Sequence, residues 1–331
     1  MGSSALPGRE PGSAAFAAAF QRRAGSAGTL RFDAFVDVAL YDPAAGYYRS
    51  DRERVGYAPG TDFFTAATSG PVFGELIAAA AATLLGARPP AQFTFVEIGA
   101  ETRGGVLEGV RHEFAGVRAV RLGQAPELRG PCVVFCNELF DAQPFRRFVF
   151  RRGAWREIGV RLAGGRLAET ELGAADFPAL PTSAPEGYVL DAPLAAAELA
   201  RALAAPGWTG LFLACDYGKT WRELAEELPE GTARAYRRHR QSSDLLAHPG
   251  EQDLTCHVCW DWLAKAVTSQ GFAAAAVQSQ EAFFVHHAGA YLAAATAAEA
   301  GRFSPRKRAL AQLLHPDHLG TKFQVLAATR L

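Results

Sequence analysis

The chain has no net charge, because Lys+Arg and Asp+Glu both number 34 across 331 residues. A zero balance leaves no global basic field, so neither nucleic acid nor a membrane surface is expected as a partner. Lysine is scarce, with only Lys219, Lys265, Lys307 and Lys322, and the remaining basic side chains are arginine. No apolar run approaches the roughly 20 residues that a bilayer-spanning helix needs. The apolar stretch Ala14 to Phe20 is far too short, and no membrane span is expected. The opening MGSSALPGREPGS lacks the basic-then-apolar pattern of an export signal, and residues 1–12 read as a disordered start. The five cysteines, at 132, 136, 215, 256 and 259, are odd in number and do not space as a disulfide framework. That usage fits a reducing, cytoplasmic setting. Cys256 and Cys259 bracket His257 in a CxxC, but a metal or redox site would need a second ligand pair or a thioredoxin-like context. Neither is present, so no metal is expected. His286, His287, His315 and His318 lack acidic companions at metal spacing and read as structural. There is no internal repeat.

What is present is an ordinary globular composition, 49% hydrophobic and 21% charged. Its length suits a large core and about two domains. Residues 14–50 read as helix with a turn. Phe32, Phe35, Val36 and Leu40 form one helical stripe, and Asp42-Pro43 stops it. Pro71 stands near the start of a helix to about Leu85, and the tract 86–90 reads as a boundary. Phe93 to Ile98 is a compact apolar run before glycine, as in a buried first strand. A helix is expected over 106–116, and strands over 117–122 and 132–136. The alternation from Phe148 to Leu167 predicts an antiparallel hairpin. Helix is expected after Pro193 to about Ala205, then a strand at 210–215, a helix at 220–228, a long polar loop over 231–256, a helix at 260–269 and a last strand at 322–329. Strands alternating with helices predict a mostly parallel α/β sheet covered on both faces.

The chemistry-bearing segments sit at strand ends, where α/β proteins build their sites. CVVFCNELFDAQP opens from a buried strand into Asn137, Glu138 and Asp141. PGEQDLTCHV packs Asp253, Thr255 and His257 into five residues. Together with LYDPAAGYY at 40–48, GTDFFTAATSGPVFGE at 60–75, DYG at 216–218, GTARAYRRHR at 231–240 and LGTKFQVL at 319–326, these motifs resemble the MidA family of class I S-adenosylmethionine-dependent methyltransferases. The similarity spans roughly residues 30–330. It implies a Rossmann-like methyltransferase domain over 91–331 with an insertion at about 146–190, preceded by a helical and lid segment over 13–90. It also implies S-adenosylmethionine as cofactor and methylation of a protein side chain. The family includes the complex I assembly factor that methylates arginine, so a respiratory complex I subunit is the implied partner.

On that resemblance Glu97, Gly99, Gly104 and Asn137 bind the cofactor, with Asp62, Phe64 and Thr65 in a lid alongside Gly46, Tyr47 and Tyr48. Asn137, Glu138 and Asp141 line the methyl-transfer cleft, where a carboxylate holds a guanidinium through paired hydrogen bonds and accepts its proton. Asn137 or Asp141 capping a following helix is the plainer alternative. His257 is a candidate base or a loop residue bonding backbone. Asp216, Tyr217, Asp253 and Thr255 are assigned to the substrate. Arg234, Arg237, Arg238 and Arg240 form a basic cluster, either a solvated face or a surface for an acidic partner.

Two departures stand out. The expected E-x-G-x-G-x-G after the first strand reads EIGAETRGG, with Glu101 and Arg103 at the second and third glycine positions. A carboxylate pair at about 4 Å costs on the order of 1 kcal/mol in water and about 4 kcal/mol at an effective dielectric of 20. After the second strand no acid faces the ribose, and only eight residues, 123–130, lead to the next strand. Eight extended residues reach about 26–29 Å, whereas a helical crossover needs a dozen or more. The third strand and its helix are therefore expected to be missing. These departures open a second reading, a methyltransferase fold that has lost its cofactor and acts as a binding or assembly protein. A nicotinamide-dependent dehydrogenase fits poorly, because the loop fails that fingerprint too.

Overall fold

The structure is a computed structural model that describes residues 9–10, 12–49, 54, 56, 61–62, 70–100, 104–301 and 303–331. The chain divides into two compact units. The sheet unit comprises Phe64–Phe140, Ala197–Gly218 and Trp260–Leu331; the hairpin unit comprises Met1–Phe63, Asp141–Ala196 and Lys219–Cys259.

The sheet unit holds six strands in the order Ala276–Ser279, Gln324–Arg330, Trp208–Asp216, Gly130–Asn137, Thr94–Ile98, Gly116–Val120. The last four are paired in parallel, and Gln324–Arg330 runs antiparallel to both of its neighbours. The sheet is therefore mixed: the C-terminal strand enters between two strands that both run opposite to it. Alternate residues of four strands face one side. Phe93, Phe95, Val133, Phe135, Leu211, Leu213, Val325 and Ala327 are buried there with Val72, Phe73, Leu76 and Ile77 of the helix Pro71–Leu84. That helix, grouped by the sequence with residues 13–90, therefore belongs to the sheet unit's core. Pro71 opens it where its missing N–H costs nothing.

Two connections decide what the sheet can hold. No helix forms over 106–116; the segment makes turns, with Gly109 at φ +70°. Its backbone lies directly on the Pro71–Leu84 helix, where the carbonyl of Val106 occupies the space that a Cβ on Gly74 would need. Residues 121–129 contain neither strand nor helix, and Gly116–Val120 is the sheet's edge. The short return expected from chain length is what the structure contains.

The hairpin unit is antiparallel. Arg146–Arg151, Ala154–Ala163 and Arg166–Ala174 form a meander, extended by Val189–Ala192 and by Thr29–Arg31. Its two tight turns have left-handed residues, Arg152 and Gly153 in one and Gly164 and Gly165 in the other. Two such residues match the twist of the flanking strands. The segment Thr29–Arg31 places Leu30 opposite Val160, a pairing of distant residues that local pattern does not announce. The helices Ala14–Ala24 and Phe32–Tyr41 pack on this sheet through Phe16, Phe20, Phe32, Phe35 and Leu40. A buried pair binds the layers: Arg147 donates to both carboxylate oxygens of Asp191, at 2.8 and 3.3 Å. Asp191 also accepts from the amides of Thr232 and Ala233.

The long polar loop expected over 231–256 is instead a small sheet of Arg240–Ser242, Arg234–Arg237 and Asp253–Thr255. Its turn carries Arg238 and His239, both at positive φ, with no glycine to advertise it.

Candidate functional site

In the sheet unit, three strand-end segments gather candidate residues. Glu97 is the penultimate residue of Thr94–Ile98, buried, and accepts a 2.6 Å hydrogen bond from the amide of Val106. Burial pushes its carboxyl up to about 7, against the pull of that amide and of Arg121. Gly99 follows the strand at φ +81°, and a Cβ there would stand 2.8 Å from Cδ1 of Leu139. Its amide and that of Ala100 both reach the carbonyl of Val120, so the segment is pinned to the second parallel strand. Gly104 is also left-handed, beside the Glu108 carboxylate.

On the neighbouring strand, Asn137 donates through Nδ2 to Glu138 at 3.2 Å. Its Oδ1 is buried and has no hydrogen-bond partner among the described residues. Glu138 adopts φ +47°, uncommon for a side chain with a Cβ. Asp216, expected to touch substrate, is fully buried and accepts from the backbone amides of Phe140 at 3.0 Å and Tyr217 at 2.9 Å. Tyr217 is half-buried and packs edge-on against Phe323.

In the hairpin unit, a second set converges. Asp62 is fully buried; it accepts from the hydroxyl of Tyr47 at 2.6 Å and from the amide of Arg238 at 2.8 Å. Its carbonyl accepts from the amide of His239. Asp62 thus holds the left-handed turn of the small sheet. Tyr47 likewise lies in the unit's core. Phe64 and Thr65, the other lid candidates, lie outside the described residues, as do Glu101 and Arg103.

Tyr48 donates to Asp253 at 3.0 Å and stacks on Tyr41 with ring centroids 5.5 Å apart. Asp253 is buried, and its carboxyl is pushed up to about 8, by burial first and by the charge of Asp141 second. Asp141 is itself buried, and its carbonyl accepts from the amide of Cys256. Near neutral pH this places a neutral carboxylic acid beside an acidic neighbour. Burial also holds the Tyr48 hydroxyl well above its usual range. Thr255 is buried in its strand. The His257 ring is pushed down to about 4 by burial and then by Lys219 and Arg234. A ring so disposed stays neutral at pH 7 and is a weak proton acceptor, which counts against a base titrating near neutrality.

The structure therefore divides the expected site residues. Glu97, Gly99, Gly104, Asn137, Glu138, Asp216 and Tyr217 belong to the sheet unit; Asp62, Asp141, Asp253, Thr255 and His257 belong to the hairpin unit. Sequence reading treated Tyr41 as part of a helix and gave Asp191 no role. Asp191 stands one residue before the end of the short apolar strand Val189–Ala192, a signal close to the one that drew attention to Asn137.

The residues present fit the methionine end of S-adenosylmethionine. A left-handed glycine at the first strand end, a buried carboxyl on that strand held by an amide of the following segment, and an orphaned buried acceptor at the adjacent strand end make a polar notch where parallel strands terminate. The adenosine end is less equipped, because the sheet stops at Gly116–Val120 and the next residue is Arg121 rather than an acid. Among the described residues no helix is long and apolar enough to cross a membrane.

Comparison with known proteins is consistent with this geometry. A family model described as "Putative S-adenosyl-L-methionine-dependent methyltransferase" matches residues 88–278. A COG1565 superfamily protein from Burkholderia thailandensis, solved with S-adenosyl-homocysteine bound, superposes with a TM-score of 0.80 at 25% identity. That match covers 95% of this chain and 91% of the other. A native structure of a COG1565 superfamily protein from the same organism gives a TM-score of 0.79 at 24% identity, with the same coverage. A search of curated proteins finds no match.

Proposed function

Because the chain belongs to this family of S-adenosyl-L-methionine-dependent methyltransferases, we propose that it is a methyltransferase of the MidA type whose acceptor is a protein side chain, an arginine. The observation that carries the cofactor part is the strand-end notch of Glu97, Gly99 and Asn137, with its unpartnered Oδ1. Glu97, Gly99, Gly104 and Asn137 are the residues that would hold the cofactor. Bound, it supplies an electrophilic methyl group on a sulfonium.

The arginine part rests on the carboxyl cluster of the hairpin unit. A carboxylate binds a guanidinium through two parallel hydrogen bonds. Burial keeps Asp253 protonated near neutral pH, so the cluster offers a hydrogen-bond donor beside the Asp141 carboxyl. Asp141 then takes the proton that the nitrogen loses on methylation, and Glu138 is assigned the same capability in its own unit. A respiratory complex I subunit as acceptor, and a cytoplasmic setting, follow from the resemblance and from five free, buried cysteines. Radiolabelled methyl transfer to arginine-bearing protein substrates tests the reading. Transfer that survives replacement of every substrate arginine by lysine refutes the acceptor.

A second reading is favoured by the adenosine end: Arg121 in place of a ribose acid, and no helix among the described residues 104–115. In it the chain is a cofactor-deficient scaffold that binds or assembles a partner. Calorimetry with S-adenosyl-homocysteine separates the two. The absence of heat at millimolar ligand, with partner capture intact, would leave only the scaffold.

A further inference from the structure

Asp216 ends the strand Trp208–Asp216 with 0% of its surface exposed. A carboxylate withdrawn from water is costly unless its oxygens find donors. Here both do, and both donors are backbone. Oδ2 accepts from Phe140 and Oδ1 from Tyr217. One residue earlier, the carbonyl of Cys215 accepts from the amide of Glu138 at 2.9 Å. The turn after Asn137 is thus tied at two places, residues 138 and 140, to two consecutive residues of the adjacent strand. Between the ties lie the left-handed backbone of Glu138 and the side chain of Leu139, which rests against Gly99.

A glutamate at φ +47° persists only where its surroundings over-determine it. The tie at Phe140 supplies that constraint, because freeing residue 140 lets residue 138 rotate toward an ordinary conformation. We infer that Asp216 is a positioning residue: its buried carboxylate clamps the Asn137–Phe140 turn from the next strand and so fixes Asn137, Glu138 and Leu139 at the cofactor notch. This replaces the expected substrate contact of Asp216. It rests on the cofactor reading above only for its consequence on binding; the clamp itself is a statement about the free protein.

Asp216→Asn tests it, since the variant keeps the volume and one acceptor oxygen but turns an amide NH2 toward a backbone N–H. Hydrogen exchange at the amides of residues 138–140 and 217 is expected to speed up at least tenfold. Exchange in the helix Pro305–Leu314 should stay within twofold. Affinity for S-adenosyl-homocysteine, read by calorimetry, is expected to fall at least tenfold. Glycine adopts positive φ without a clamp, so in a Glu138→Gly background the same Asp216→Asn change should weaken binding no more than threefold. A purely structural role would show no such rescue. Unchanged exchange at 138–140 overturns the clamp. If exchange in Asp216→Asn speeds up as expected but the wild type binds no ligand, the cofactor reading fails and the clamp stands. Should Asp216→Asn not fold, acid titration of the wild type by NMR decides. The amide protons of Phe140 and Tyr217 should move with one shared midpoint, and separate midpoints overturn the proposal.

Discussion

Replacing Asp253 by asparagine should make the protein more stable in alkaline buffer and flatten its dependence on pH. The native carboxyl titrates near 8, whereas in the unfolded chain it returns to its ordinary value of 3.8. Between those limits the native state holds a proton that the unfolded state has released. Stability then falls as pH rises, at about 1.4 kcal/mol per pH unit for one group. The contribution is fully present below the unfolded value and lost as pH climbs through the native one. Glu97, raised to about 7, adds a slope of the same sign over a shorter interval. Asparagine resembles the protonated acid. Its oxygen can still accept from Tyr48, and its amide can donate toward Asp141. The variant should therefore gain on the wild type steadily from pH 5 to pH 8. Relaxation of a buried site reduces such slopes, yet a third of the full value still amounts to about 1 kcal/mol over three pH units. Urea midpoints at pH 5, 6, 7 and 8 measure it; the remaining slope of the variant combines Glu97 with the opposite slope that His257, held near 4 in the native state, contributes below about 6.5. Parallel profiles for the two proteins would mean that Asp253 is ionised in the native state, and the account of the carboxyl cluster would fall with it.

Gly99→Ala should destabilise the fold by about 1–3 kcal/mol, since its φ of +81° suits only glycine and Leu139 fills the Cβ position; thermal unfolding and a tenfold or greater loss of S-adenosyl-homocysteine affinity are the readouts. Glu138→Gly should raise stability by about 0.5–1 kcal/mol by relieving a left-handed side-chain-bearing residue, while methyl transfer falls at least tenfold; a destabilised variant would refute the strain. Arg147→Ala should cost about 3–5 kcal/mol by stranding the buried Asp191 carboxylate, and a denaturant midpoint within error of wild type would refute it.

Local pattern carried most of the elements. The stripe of Phe32, Phe35, Val36 and Leu40, the proline at 71 and the run from Phe93 to Ile98 each became the expected helix or strand, because each is stabilised by contacts its own period creates. The chain-length argument over 123–130 also found the missing strand, since reach does not depend on partners. What local pattern could not supply was pairing at a distance. Nothing near Leu30 says that Val160 lies opposite, and nothing in GTARAYRRHR says that Asp62 will hold its turn. The helix expected over 106–116 failed for the same reason: its competitor was a close approach to Gly74, remote in sequence. Among the site residues, the strand-end rule located Asn137, Glu138 and Asp216 but not their tasks. Whether a carboxylate meets substrate or a backbone amide depends on the neighbouring strand, and that is a tertiary fact.

The altered adenosine end separates affinity from turnover. Contacts to the ribose and adenine are made alike in the ground state and the transition state, so losing them weakens binding without slowing the chemical step. Asn137 and Glu138, proposed for the transfer step, stand at the end of the strand Gly130–Asn137 and not on the absent third strand. An active enzyme built this way should show a high KM for the cofactor and an ordinary kcat. Restoring a ribose acid by Arg121→Glu or Leu122→Glu should then lower KM with kcat within twofold, the signature of uniform binding. A variant that changes kcat instead would mean that residues 121 and 122 act on the reacting centre. In that case the reduced edge at Gly116–Val120 belongs to the catalytic geometry rather than to cofactor affinity.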